Sequence, residues 1–111
     1  MPIEVTDRSK AFDGDIRKYV ESKCEGIIED FPKIEHIHVV MDKEKHVMTA
    51  EVIIQAGNHA RMEAEESSEN IKTSINNALE KIERQLRKKY DKVREHRKAM
   101  KHSETQRIKG V

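Results

Sequence analysis

Ile3-Glu4-Val5-Thr6 alternates apolar with polar residues, the period of a short strand with Ile3 and Val5 turned inward. After Asp13-Gly14-Asp15, an acidic helix start, the period changes. On a helical wheel Ile16, Val20, Ile27 and Phe31 fall within about 60° of one another, with Cys24 at the edge. This spacing predicts an amphipathic helix over 13–30, ended by Pro32, which cannot continue it. Three alternating segments follow. In 34–42, Ile37, Val39 and Met41 alternate with His36, His38 and Val40. In 47–55, Met48, Ala50, Val52 and Ile54 alternate with Thr49, Glu51 and Ile53; in 59–66, Ala60, Met62 and Ala64 alternate with His59, Arg61, Glu63 and Glu65. One apolar face per strand means a sheet covered on one side and wet on the other. The connectors Lys43-Glu44-Lys45-His46 and Ala56-Gly57-Asn58 suit antiparallel hairpins.

The last periodic segment is the longest. Ser67 or Ser68 is placed to cap it, with Glu69 and Asn70 in its first turn. Ile71, Ile75, Ala78, Leu79, Ile82, Leu86, Tyr90 and Val93 then share an arc of about 120°. A helix from 68 to about 95 is roughly 40 Å long against about 27 Å for an eight-residue strand, so its last two turns should project past the sheet. The order βαβββα predicts an α+β two-layer sandwich: a four-stranded, mainly antiparallel sheet with two helices on one face, like a double-stranded-RNA-binding domain.

The chain has 111 residues, room for one aliphatic core and not two. Residues 1–95 form that domain, and the polar, basic stretch 96–111 reads as a flexible tail. No apolar run approaches the roughly 18 residues of a membrane span, and MPIEVTDRSK has no signal-like apolar region. The expectation is a soluble, cytoplasmic monomer with no membrane association. The lone Cys24 has no disulfide partner in the chain, which suits a reducing compartment.

A formal net charge of +1 conceals an uneven distribution. Residues 1–80 hold 10 Lys/Arg against 17 Asp/Glu, and residues 81–111 hold 12 against 4. A basic carboxyl-terminal third suggests a polyanion partner. On the wheel Lys81, Arg84, Lys88 and Lys92 occupy one flank of the second helix, while Glu80, Glu83 and Asp91 occupy another. Arg87, Lys89, Arg94, Arg97 and Lys98 add charge around its end. Such a stripe suits a phosphate backbone, because Lys and Arg displace its condensed counterions. The plainer reading is a solvated face held by ion pairs, for which Glu80–Arg84 and Glu83–Arg87 have i,i+4 spacing. Arg17, Lys18 and Lys23 on the first helix would widen the patch if the helices lie side by side, or else simply decorate the surface.

Phe12, Tyr19, Phe31 and Tyr90 are the only aromatics, too few for a base-stacking platform, so any RNA contact should rest on phosphate and shape. His36 and His38 share a strand face, with His59 a possible neighbour, but no further ligands stand at a metal-site spacing. Cys24 lies on the helix stripe, a core position rather than that of a nucleophile. The four glycines stand alone, which excludes a phosphate loop. Neither a catalytic constellation nor a cofactor or metal site emerges, and a non-enzymatic chain is expected.

The stretch Ile75-Asn76-Asn77-Ala78-Leu79-Glu80-Lys81-Ile82-Glu83-Arg84-Gln85-Leu86-Arg87-Lys88, with Lys92 beyond it, resembles the signature of the ribosome hibernation-promoting factor and ribosome-associated inhibitor family, sigma-54 modulation protein-like in its short form. There an aliphatic helix ends in Lys-(Leu/Ile)-x-Arg-Gln-Leu followed by more Lys. Ile16-Arg17-Lys18-Tyr19-Val20-Glu21-Ser22-Lys23 is similar to that family's first helix, and the likeness covers residues 2 to about 95. The resemblance implies binding to the small ribosomal subunit, within the 70S ribosome, in the channel used by messenger and transfer RNA. It implies reversible silencing of translation under stress or in stationary phase. It also implies contacts to ribosomal RNA from Lys23, Lys81, Arg84, Lys88 and Lys92.

Asn70-Ile71-Lys72-Thr73-Ser74-Ile75-Asn76 stands where the family commonly has Asp-Met-Tyr-x-Ala-Ile-Asp, and Gly26 where a basic residue is usual, which should weaken the first helix's share of RNA contact. Long members add a carboxyl-terminal domain that pairs two ribosomes, which a chain ending at Val111 is expected to lack. Single inactive ribosomes and ribosome dimers both stay open. Two rivals remain: a protein-interaction or regulatory module whose stripe meets an acidic protein, and a small His- or Cys-dependent enzyme, which would need an exposed Cys24 or a convergent His cluster.

Overall fold

A computed structural model of the chain describes residues 2–90. Seven elements run in order: β1 (Ile3–Asp7), α1 (Gly14–Asp30), β2 (Ile34–Glu44), β3 (Val47–Ala56), a 3-10 turn (Gly57–His59), β4 (Ala60–Ser68) and α2 (Ile71–Lys89). The strands lie side by side in sequence order. β1 is parallel to β2, because a helix separates them, and the two hairpins make β2–β3 and β3–β4 antiparallel. The α+β sandwich read from the sequence is the fold observed.

The Asp7 carboxylate organises the entry to α1. It accepts hydrogen bonds from the Ser9 hydroxyl (2.9 Å), the Lys10 N–H (2.9 Å) and the Phe12 N–H (3.0 Å) while Lys10 holds a left-handed φ of 57°. Partial burial pushes its pKa up, but the N–H of Phe12, the Ser9 hydroxyl and the N–H of Lys10 outweigh that and hold it below the ordinary 3.8. Asp13 then caps α1 by accepting from the Ile16 N–H at 3.1 Å. Val20, Cys24, Ile27 and Phe31 carry its buried face, and the helix stops before Pro32.

The β2–β3 hairpin is tighter than its sequence suggests, and the three-residue β3–β4 connector, Gly57–His59, lies one residue further along than expected. Lys43 and Glu44 pair with Met48 and Val47, leaving Lys45-His46 as the turn, with Lys45 at φ 57°. Asn58 and His59 take φ near +60° between β3 and β4, a conformation to which Asn is suited. Ile37, Val39, Met41, Ala50, Val52, Ile54, Met62 and Ala64 face the helices and are buried, as their alternation requires. Val40, on the opposite face, is buried as well.

α2 differs from expectation at both ends. Ser67 and Ser68 remain in β4, paired with Thr49 and Met48, so neither caps the helix. Asn70 does, accepting from the N–H groups of Lys72 (3.0 Å) and Thr73 (3.2 Å). At the other end Tyr90 has extended backbone angles (φ −133°, ψ 153°), and its hydroxyl donates to the Gly57 carbonyl at 3.4 Å. The helix therefore stops at Lys89, where the sheet stops, at about 28 Å from its 19 residues. Lys92 and Val93, the cations Arg94, Arg97 and Lys98, the expected projecting turns and the tail 96–111 lie outside the described residues.

Ile71, Ile75, Ala78, Leu79, Ile82 and Leu86 close the core from above β3 and β4. Each large aliphatic side chain so buried contributes about 1.5–3 kcal/mol from transfer alone. Apolar anchoring on one side leaves the opposite flank of α2 free to carry charge.

Candidate nucleic-acid interface

Positions 81, 84 and 88 follow one another at three- and four-residue steps, so a helix places them on one flank. With α2 seated over β3 and β4, that flank overhangs the edge strand. Lys81, Arg84 and Lys88 line a shallow groove there with Gln85, Glu63, Ala64 and Glu65. Gln85 fixes the geometry: its side-chain amide donates to the Glu63 carbonyl of β4 at 3.0 Å. Buried Ser74 does the same one turn into the helix, donating to the Met48 carbonyl at 2.7 Å. These two residues were not singled out in the sequence. Only the polarity of Ser74 at a position between Ile71 and Ile75 on an apolar stripe could have marked it.

The three cations are held to different degrees. Lys81 Nζ lies 2.5 Å from Glu66 Oε2, a partner contributed by β4 and invisible to spacing along the helix. Arg84 makes the looser i,i+4 pair with Glu80, at 3.8 Å, that its spacing predicts. Lys88 is exposed and has no ion pair among the described residues. The Lys81 and Arg84 side chains are 50% and 63% exposed. The Arg84–Glu80 pair, open to water on both sides, contributes between 0 and about 1 kcal/mol, so a polyphosphate can displace that carboxylate at little cost, whereas Glu66, only 26% exposed, holds Lys81 more firmly. The stripe is thus partly paired and still available.

Lys23 is not part of that groove. It lies on α1, across the helix–helix cleft, where it lines a hollow with Asn76 and three carboxylates, Asp30, Glu80 and Glu83. The acidic flank of α2 therefore stands between Lys23 and the cationic stripe, and the first helix does not widen the patch continuously. Lys23 Nζ instead sits 5.5 Å from the centre of the Tyr19 ring, and Lys72 Nζ from α2 sits 5.0 Å from the same ring. The Tyr19 hydroxyl donates to Asn76 Oδ1 at 2.8 Å, tying α1 to α2. Lys92 lies outside the described residues.

Cys24 is fully buried. Burial above all, with Glu21 and Glu25 adding to it, pushes its thiol pKa up to about 12, which removes it as a nucleophile at neutral pH. His36 and His38 have ring centres 6.4 Å apart and both approach Glu4, at 3.6 and 3.8 Å; His38 also meets the Thr6 hydroxyl at 2.9 Å. Among the described residues no group of His, Cys, Asp or Glu is arranged to hold a metal ion. No helix among them is long and apolar enough to cross a membrane.

The fold has solved counterparts. A protein from Coxiella burnetii described as a ribosomal subunit interface protein superposes with a TM-score of 0.72 at 20% identity, covering 79% of this chain and 96% of that one. The N-terminal domain of Protein Y from Thermus thermophilus superposes with a TM-score of 0.71 at 22% identity, covering 81% of this chain and all of that one. At such identities the likeness is one of fold. A search of curated protein sequences finds no match. The sequence profile of one family, however, matches residues 3–94, which takes in both helices and the whole sheet. The chain belongs to the family described as Sigma 54 modulation protein / S30EA ribosomal protein.

Proposed function

We propose that this protein is a ribosome hibernation factor. Its helix layer docks by charge on small-subunit ribosomal RNA in the channel used by messenger and transfer RNA, within the 70S particle, and blocks both by occupancy. The observation that carries this reading is the groove beside β4, where Lys81, Arg84 and Lys88 converge, Lys81 paired with half-buried Glu66, Arg84 loosely with exposed Glu80 and Lys88 with none among the described residues, in a chain of this family. Lys23 and Lys92 extend the contact, from α1 and from beyond Tyr90 respectively. The domain 1–95 binds, as a monomer in the cytoplasm, and the basic segment 96–111 is its tail. Counterion displacement is an equilibrium, so release needs no chemistry and silencing is reversible. The fold shared with a protein described as a ribosomal subunit interface protein supports the same reading.

A sucrose-gradient profile of ribosomes with and without the purified protein tests it. The protein should travel with small subunits and 70S particles and be absent from free large subunits, and nuclease digestion of the ribosomal RNA should release it. Capture of an acidic protein that survives nuclease treatment, with no ribosome present, would replace this reading by that of a protein-interaction module.

A further inference from the structure

Tyr19 gathers two lysines from different helices. Lys23 stands one turn along α1 from the ring and Lys72 stands in the first turn of α2, yet both ammonium groups converge on it. Centroid distances of 5.5 and 5.0 Å leave them no more than about 10.5 Å apart. Neither has an ion pair among the described residues. The ring is itself held in place, because its hydroxyl bonds Asn76 on the second helix. Both lysines are exposed, so each ammonium group is open to an anion from solvent. The acidic residues Glu80 and Glu83 separate this pair from the cations beside β4.

We infer that Lys23 and Lys72, arranged around Tyr19, form a second phosphate-binding site, distinct from the groove of Lys81, Arg84 and Lys88. Its ligand is one phosphodiester, or two successive ones, of a nucleic-acid strand. This rests on the proposed ribosome contact and adds Lys72 to it. Two cationic sites on either side of an acidic ridge fit two strand segments of folded RNA rather than one continuous backbone.

Co-sedimentation with purified ribosomes over a range of salt concentrations tests the inference with the full chain. Each phosphate contact contributes about 0.9 to the slope of log affinity against log salt. Lys72→Ala, a change at an exposed position, should flatten the slope by about one and weaken binding roughly 5- to 10-fold at 0.1 M salt. Lys72→Arg should restore both. Because the two sites share no partners, the loss in Lys72→Ala should add in log affinity to that of Lys88→Ala. An unchanged slope and affinity in Lys72→Ala, beside clear losses in Lys88→Ala, would overturn the second site and leave the first standing. Failure of Lys88→Ala to weaken binding would instead count against the proposed function itself.

Discussion

Single residues set the local chemistry of this fold, and Asp7 is the clearest case. Its carboxylate serves three donors in the β1–α1 connection, so Asp7→Asn should cost about 1 kcal/mol at pH 7, discounted for solvent exposure. The sign with pH follows from its lowered pKa. The contribution is complete above the unfolded value of 3.8 and is lost as pH falls through the lower value of the folded state. Urea midpoints of the two proteins should therefore differ at pH 7 and converge as the pH falls below 3.8 through the lower folded-state value. Cys24 shows the opposite sign. With the folded thiol near 12 and the ordinary value at 9.0, stability falls above about pH 9 by up to roughly 1.4 kcal/mol per pH unit, and Cys24→Ala should lack that part of the decline. The burial of Cys24 was legible in the sequence because its stripe repeats along one helix. The contact of Lys81 with Glu66 was not, nor was that of Lys72 with Tyr19, because each joins residues of different elements. Spacing along one helix cannot report partners brought in by the sheet or by its neighbour.

At the scale of elements, α1 carries a weakness that its surroundings do not require. A Cβ at Gly26 would meet nothing within 4 Å, and the backbone there is ordinary helix. Gly26→Ala should stabilise the domain by about 0.5–1 kcal/mol, read as a rise of a few degrees in Tm. The type and order of the four strands and two α-helices were legible, since periods of two and 3.6 residues leave little choice when one face of each element must be buried, whereas the 3-10 turn Gly57–His59 was not. The ends were less so. Ser67 and Ser68 look like caps, yet pairing with β3 keeps them extended, and Asn70 takes the role two residues later. An apolar stripe through Tyr90 suggests a longer helix, but Tyr90 turns toward Gly57 where the sheet gives out. Gln85 and Ser74 then fix α2 along its length. Ser74→Ala would leave the Met48 carbonyl without this donor at a cost of about 1–3 kcal/mol, measurable by denaturant unfolding.

Across the whole molecule, the two layers differ in charge. The open sheet face presents Glu4, Asp42, Glu51, Glu63 and Glu65, with Glu51 directly opposite Glu65 in the ladder. Of the two helices, α2 holds six Lys/Arg against two Glu, whereas α1 holds three Lys/Arg against five Asp/Glu. A polyanion is therefore drawn to α2 rather than to the helix layer as a whole, which orients the protein before contact is made. The stripe beside β4 was legible in full as far as Lys88, because a regular helix converts spacing into position. The most direct measurement is co-sedimentation of the protein with ribosomes at increasing salt, for wild type and for the Lys81→Glu, Arg84→Glu, Lys88→Glu triple variant, with thermal unfolding followed in parallel. With about five phosphate contacts, the wild type should show a slope of roughly −4, and the triple variant should stay in the supernatant while unfolding as a native domain does. A folded triple variant that still pellets with ribosomes at moderate salt would contradict the account.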